Sequence, residues 1–214
     1  LGDRRRLGRV LADIGARLRN VGDHEGALAA SRQARDIATE LGDATLQIEA
    51  TYRLAQAHFA VGDLSQATAL FLEAVHALAP ENIARRAALP IFFAAWPRAW
   101  LGLALSHLGR FTEALEHACE AIRIAEGADH PHTLMEVNGA LGGVGLERGD
   151  LETAVRVFER SVDVLRVRGF GDANTLSGLG YAYALSGRPS EALPLLEEAT
   201  RGEASISAMG LGQA

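Results

Sequence analysis

The chain has 214 residues, 27 of them acidic against 21 lysines and arginines, for a net charge of −6. Its basic block is limited to Arg4-Arg5-Arg6, which argues against nucleic acid as the main partner, because neutralising phosphates takes a clustered basic stripe. No apolar run approaches the roughly 18 residues of a membrane-spanning helix, no segment reads as a leader peptide, and the lone Cys119 excludes an internal disulfide, so a cytoplasmic chain with no membrane partner is expected.

Apolar periodicity and helix punctuation predict paired helices along the whole chain. The first pair covers about 5–20 and 24–41, with Gly22 and Gly42 as stops. Asp43 opens the second, over 44–61 and 64–78, and Pro80 ends it. Residues 81–96 read as an irregular insertion. Pro97 suits the first turn of a helix, where its missing N–H costs nothing, so the third pair restarts there, runs to Leu108 and continues over 111–126. Asp129-His130-Pro131 announces the fourth, through Glu147 and then 151–168. The fifth covers 172–186 and 189–201, with Gly202 as a stop and the apolar fragment 205–211 as the start of a further unit cut short, or a cap. The expected organisation is a single array of repeats at about 4–42, 43–80, 81–127, 128–169 and 170–202, followed by 203–214.

One short motif recurs at each turn: Gly22 to Ala27, Gly62 to Ala67, Gly109 to Ala114, Gly149 to Ala154 and Gly187 to Ala192. Each copy is Gly, then Asp or Arg, then three variable residues, then Ala. The motif glycines are 40, 47, 40 and 38 residues apart, a period that signals a solenoid. Eight residues before each motif Gly stands a branched aliphatic followed by a small residue: Ile14-Gly15, Leu54-Ala55, Leu101-Gly102, Leu141-Gly142 and Leu179-Gly180. The large side chain is expected to fill the space between paired helices, and the small one, like the closing Ala, to let a neighbouring backbone come close. Phe71, Phe158 and Leu196 continue that stripe one turn on.

In Leu179-Gly180, Tyr183, Gly187, Ala192 and Leu196 the chain resembles the tetratricopeptide repeat, with a longer period than that family's usual one. The resemblance implies an all-α fold, a right-handed α-α superhelix of five helix-turn-helix repeats plus a partial sixth. The segments Arg98 to Gly109 and Leu179 to Gly187 also resemble the helical-repeat tail of bacterial signalling proteins that carry a class III adenylate/guanylate cyclase domain and an ATPase module. That likeness implies a regulatory or assembly region of a longer protein and transfers no catalytic residue.

The residue types that carry chemistry are present without the spacing it needs. Lysine is absent, which removes both a P-loop and a Schiff base. His117 and Cys119, two apart on a helix, point opposite ways and cannot share a metal, and His130 with His132 has no ligand-spaced partner. No G-x-S-x-G elbow follows a strand. Gly139, Gly142, Gly143 and Gly145 lack both the strand and the spacing of a phosphate loop and read better as small packing residues. No metal, cofactor or enzyme activity is expected.

In tetratricopeptide arrays the first helix of each unit lines a concave groove, and by that analogy the binding face here comprises Arg9, Arg19, Glu49, Tyr52, Gln56, Phe59, Trp96, Trp100, Leu103, His107, Glu136, Asn174 and Tyr181. Such a mixture of aromatics, amides and both charge signs suits a peptide or a helix of a protein partner, including another domain of the same full-length protein. The alternative is a sensor for a small-molecule effector, which requires an enclosed apolar pocket. The two-carboxylate clamp with which some of this family hold chain termini is missing, since Ala16 stands where the first-repeat Asn belongs. Trp96, Trp100, Leu103 and His107 form a stripe opposite Leu101 and Leu105. That stripe is expected either to lie under the insertion, through Ile91, Phe92 and Phe93, or to anchor a partner.

Overall fold

The computed structural model describes residues 3–78, 92–127, 130–168 and 173–211. Among them are ten α-helices and no strand: α1 Arg4–Asn20, α2 His24–Leu41, α3 Ala44–Ala60, α4 Leu64–Ala77, α5 Phe92–His107, α6 Phe111–Gly127, α7 Pro131–Arg148, α8 Leu151–Arg168, α9 Ala173–Leu185 and α10 Pro189–Leu211.

The recurring motif builds the turn inside each pair. All five motif glycines have positive φ, from +74° to +84°, a conformation that a Cβ makes costly. The residue after Gly then starts the second helix in one of two ways. Asp23, Asp63 and Asp150 cap it, accepting a hydrogen bond from the backbone N–H of Gly26, Gln66 and Thr153. Arg110 and Arg188 instead form bidentate pairs with Glu113 and Glu191 three residues on.

Packing follows the same template. Each first helix lies against its own second helix, and α3, α5, α7 and α9 each also pack on the second helix of the preceding unit. First helices stack on one another as well, α1 on α3, α5 on α7 and α7 on α9, while the junction between the second and third units is carried mainly by α4 on α5. The motif alanines are fully or almost fully buried. A Cβ at Gly15, Gly102 or Gly180 would sit 2.9–3.3 Å from the carbonyl oxygen of Ala27, Ala114 or Ala192, so the small residue of the dipeptide faces the motif Ala of its own unit. The result is an α-α superhelix, as the repeat reading expects.

Three expectations need correction. Pro97 does not begin α5; it is the sixth residue of a helix that starts at Phe92. An interior proline costs about 3 kcal/mol, and the upstream turn offsets this by burying Phe93, Ala94 and Ala95 against the core, where a Phe alone contributes about 1.5–3 kcal/mol. Gly202 does not stop α10, which continues to Leu211 with both Pro194 and Gly202 inside it. Ile14 is 39% exposed although its counterparts Leu54, Leu101, Leu141 and Leu179 are buried, because α1 has no preceding second helix against it among the described residues. Of the irregular insertion expected over 81–96, residues 92–96 are helical in α5 and 81–91 fall outside the described residues, as do Asp129 and Asp172. His130 caps α7, accepting from the Thr133 N–H, with Pro131 in the first turn.

Candidate functional site

The first helices bring most of the candidate residues into one neighbourhood. Arg19 comes from the last turn of α1, Glu49, Tyr52, Gln56 and Phe59 from α3, Trp96, Trp100, Leu103 and His107 from α5, and Glu136 from α7. Arg9 is exposed on α1 and acts electrostatically on Glu49. Asn174 and Tyr181 stand exposed on α9, in the last unit.

Tyr52 and Gln56 belong to the core, not to the surface of a groove. Both are buried, and the Gln56 Nε2 donates to the Tyr52 hydroxyl at 2.9 Å, which satisfies two polar groups that would be costly alone. Rings gather round Tyr52: Phe93 at 5.8 Å between centroids, Phe71 at 6.1 Å and Trp96 at 6.4 Å. Burial holds the Tyr52 phenol far above its ordinary range, so it stays protonated.

Trp96, Trp100 and Leu103 are half-buried and His107 is exposed, and among the described residues the rings of the second repeat pack on this stripe. Trp100 lies edge-on to Phe59 at 5.4 Å and stacked on Phe71 at 6.2 Å. Phe59 in turn meets His107 at 5.4 Å, and the His107 Nδ1 is 3.5 Å from Glu147. Phe93 shares its helix with Trp96 and contacts it at 6.4 Å, whereas the side chains of Ile91 and Phe92 lie outside the described residues. Among the described residues the stripe serves inter-repeat packing through α3 and α4. Leu103 is half-buried against Gly143, where a Cβ would come within 2.7 Å of it.

Above these rings lies a charged layer. The Arg19 guanidinium carbon is 5.3 Å from the Trp100 centroid, and that of Arg53 is 5.4 Å from the Tyr52 centroid. Arg53 also donates to Gln56 Oε1 at 3.2 Å. Burial holds the Arg19 pKa below its usual value; the charge of Arg53 adds to this, while Tyr52 and Glu136 oppose it. Glu49 is pushed above the ordinary carboxylate range, first by burial and then by Asp13 and Asp43, against the pull of Arg53 and Arg9. Arg53 is absent from the residues expected from sequence. Its signal was a charged side chain in the middle of α3, a helix whose positions from Ile48 to His58 are otherwise nearly all buried.

Fold and site together define a helical-repeat scaffold, in which stacked hairpins present one continuous face of side chains. Three family models, each described as tetratricopeptide repeat, match residues 48–73, 101–132 and 134–202, and the chain is a tetratricopeptide-repeat protein. No curated protein matches it in sequence. Among solved structures it is similar to BtubC (BKLC) from P. vanneervenii, at 21% identity and a TM-score of 0.67 over 96% of this chain and 84% of that one. A Rap protein complexed with Competence and Sporulation Factor aligns at 14% identity and a TM-score of 0.75, over 89% of this chain and 52% of the other. The Rap conjugation gene regulator of plasmid pLS20, solved in complex with the Phr* peptide, aligns at 17% identity and a TM-score of 0.73, over 91% and 52%. The chain thus spans about half the length of the two Rap chains, and at these identities the likeness concerns the fold.

Proposed function

We propose that this chain is a non-catalytic protein-interaction scaffold that binds a peptide or a helix of a protein partner on the face built by its first helices. The observation that carries the reading is a cluster of rings faced by charge: Arg19 over half-buried Trp100, Arg53 over Tyr52, and Phe59 edge-on to Trp100. Rings beneath a rim of mixed charge supply both anchoring area and orientation, the combination that peptide-recognition surfaces use. A fold shared with a Rap regulator solved with a peptide supports it. The finer reading is a regulatory region of a larger, cytoplasmic bacterial signalling protein with cyclase and ATPase modules. It rests on the segments 98–109 and 179–187.

A peptide-display selection against the whole chain tests the proposal. Selected peptides should bind the parent chain and lose affinity on Phe59→Ala, while Arg156→Gln, on the exposed side of α8, should leave affinity unchanged. Peptides indifferent to Phe59→Ala, or a selection that yields none, would remove the face on α1, α3 and α5 from consideration.

A further inference from the structure

Exposed apolar side chains collect at the two ends of the array: Leu7, Val10 and Ile14 on α1, Tyr181 and Leu185 on α9, and Leu193 on α10. The other units show what covers such positions. Val10 stands twelve residues before its motif Gly and is 47% exposed. Its counterparts Ala50, Pro97, Val137 and Thr175 are buried, on first helices that each pack against the preceding second helix. Leu193 stands six residues after its motif Gly and is 59% exposed. Its counterparts Leu28, Thr68, Leu115 and Val155 are buried or half-buried, on second helices that each receive the following first helix. Among the described residues, one end thus presents a first helix with no second helix before it, and the other a second helix with no first helix after it. Solenoid ends are ordinarily closed by a polar outer face, and apolar patches left at a surface mark an interface.

The two ends match in register. Inside the array Leu103 of α5 meets Gly143 of α7, each six residues before its motif Gly. The same position holds Tyr181 on α9 and the small Ala16 on α1, again a large side chain opposite a small one. Glu159 of α8 accepts a hydrogen bond from the Tyr183 hydroxyl of α9 at 2.6 Å. Glu197 of α10 stands at the register of Glu159, and Leu18, next to Arg17, at that of Tyr183. Charge matches as well. Arg6 and Arg17 border the apolar stripe of α1, with Asp13 beside them, and Glu197 lies one turn beyond Leu193 on the same face of α10. All three of Arg6, Arg17 and Glu197 are exposed. Arg17 occupies the position at which the interior units bury Ala57, Ala104, Val144 and Ala182, so a helix that covers α1 must bring it a carboxylate.

We propose that these two ends form the self-association site of the chain: α1 of one copy stacks on α9 and α10 of a second copy, carrying the packing between repeats from one molecule into the next. Ala16 then receives Tyr181 of the second copy, Val10 and Ile14 cover its Leu193, and Arg17 pairs with its Glu197. A second copy is the occupant because this chain supplies both halves of the contact, in matching register and with opposite charge. The contact is heterologous, so every copy keeps one free end and growth continues past the dimer. It does not rest on the scaffold reading.

Sedimentation velocity of the whole chain over a concentration series tests the proposal. The weight-average mass should climb with concentration past that of two copies. Val10→Asp spoils one end and Leu193→Asp the other, and because both side chains are exposed, the variants should unfold in urea at the parent's midpoint. Each variant alone should stay monomeric. An equimolar mixture of the two should form a dimer that grows no further, since each retains the end that the other has lost. Should either variant unfold early, a charge exchange decides instead: Glu197→Arg should weaken self-association, and adding Arg17→Glu to it should restore the parent's behaviour. A parent chain that stays monomeric up to about 1 mM would overturn the proposal. A folded Val10→Asp or Leu193→Asp chain that self-associates like the parent would do the same, since it marks a contact between like ends or elsewhere on the surface. So would a mixture of the two folded variants that stays monomeric, or a charge exchange that restores nothing.

Discussion

Phe158 sits between two glycines. A Cβ at Gly142 on α7 would lie 2.6 Å from its ring, and one at Gly178 on α9 equally close, so the ring occupies volume that neither neighbour can give up. Gly139, one turn earlier on α7, meets nothing within 4 Å. Gly142→Ala should therefore destabilise the protein by about 1–3 kcal/mol through overpacking, and Gly139→Ala should stabilise it by up to about 1 kcal/mol through helix propensity; urea unfolding of the two variants should move in opposite directions. Glu49 offers a pH test. Its pKa is raised above the ordinary 4.5, chiefly by burial, so the folded state holds its proton more tightly than the unfolded chain does. The stability this contributes is fully present below the unfolded pKa and is lost as pH rises through the folded one. Glu49→Gln should accordingly be more stable than the parent at pH 7, with the gap closing below pH 4.5; a gap that widens on acidification would contradict the placement of Glu49.

At the scale of the helix, the repeat register predicts which small residues cannot grow. Ala154 is fully buried on α8, and a Cβ at Gly145 on α7 would fall 3.2 Å from the Ala154 nitrogen, so these two backbones are in contact. Ala154→Leu should cost about 1–3 kcal/mol in thermal or chemical unfolding, and a neutral variant would show that the register is wrong. Helix α5 begins five residues before Pro97, the position at which sequence alone places its start. A helix with an interior Pro97 runs against local preference, and only the burial available to Phe93, Ala94 and Ala95 in the assembled array makes the extra turn favourable. Nothing in residues 92–96 alone announces that burial.

Across the whole molecule, the aromatic residues tie the second unit to the third. Tyr52, Phe59 and Phe71 on α3 and α4 meet Phe93, Trp96 and Trp100 on α5, so among the described residues the junction with the longest sequence spacing is also the one richest in rings. Both tryptophans of the chain report on it. Acrylamide should quench their fluorescence weakly in the folded chain and strongly in urea, and Phe71→Ala should raise quenching before global unfolding by loosening the stack beneath Trp100. Strong quenching in the native chain would place the indoles in water and remove the inter-repeat role given to them.

The repeat architecture was legible in the residues themselves because turn chemistry is local: a Gly with positive φ, a capping Asp or an Arg paired three residues on, and a closing Ala act within six positions, so five copies announce five hairpins without reference to the rest of the chain. The same locality made Gly15, Gly102 and Gly180 readable as contact residues, since each meets the Ala of its own unit. Which face of each first helix remains open was decided by packing between units. Tyr52 and Gln56 share the groove-side periodicity of Phe59 yet are buried together by rings that arrive from α4 and α5, and Arg53, one residue from Tyr52, is left at the margin with an unmatched donor. Periodicity fixes the direction of a side chain about its own helix axis. Whether water, a ring or a charge stands in that direction depends on helices tens of residues away, and that only the tertiary structure supplies.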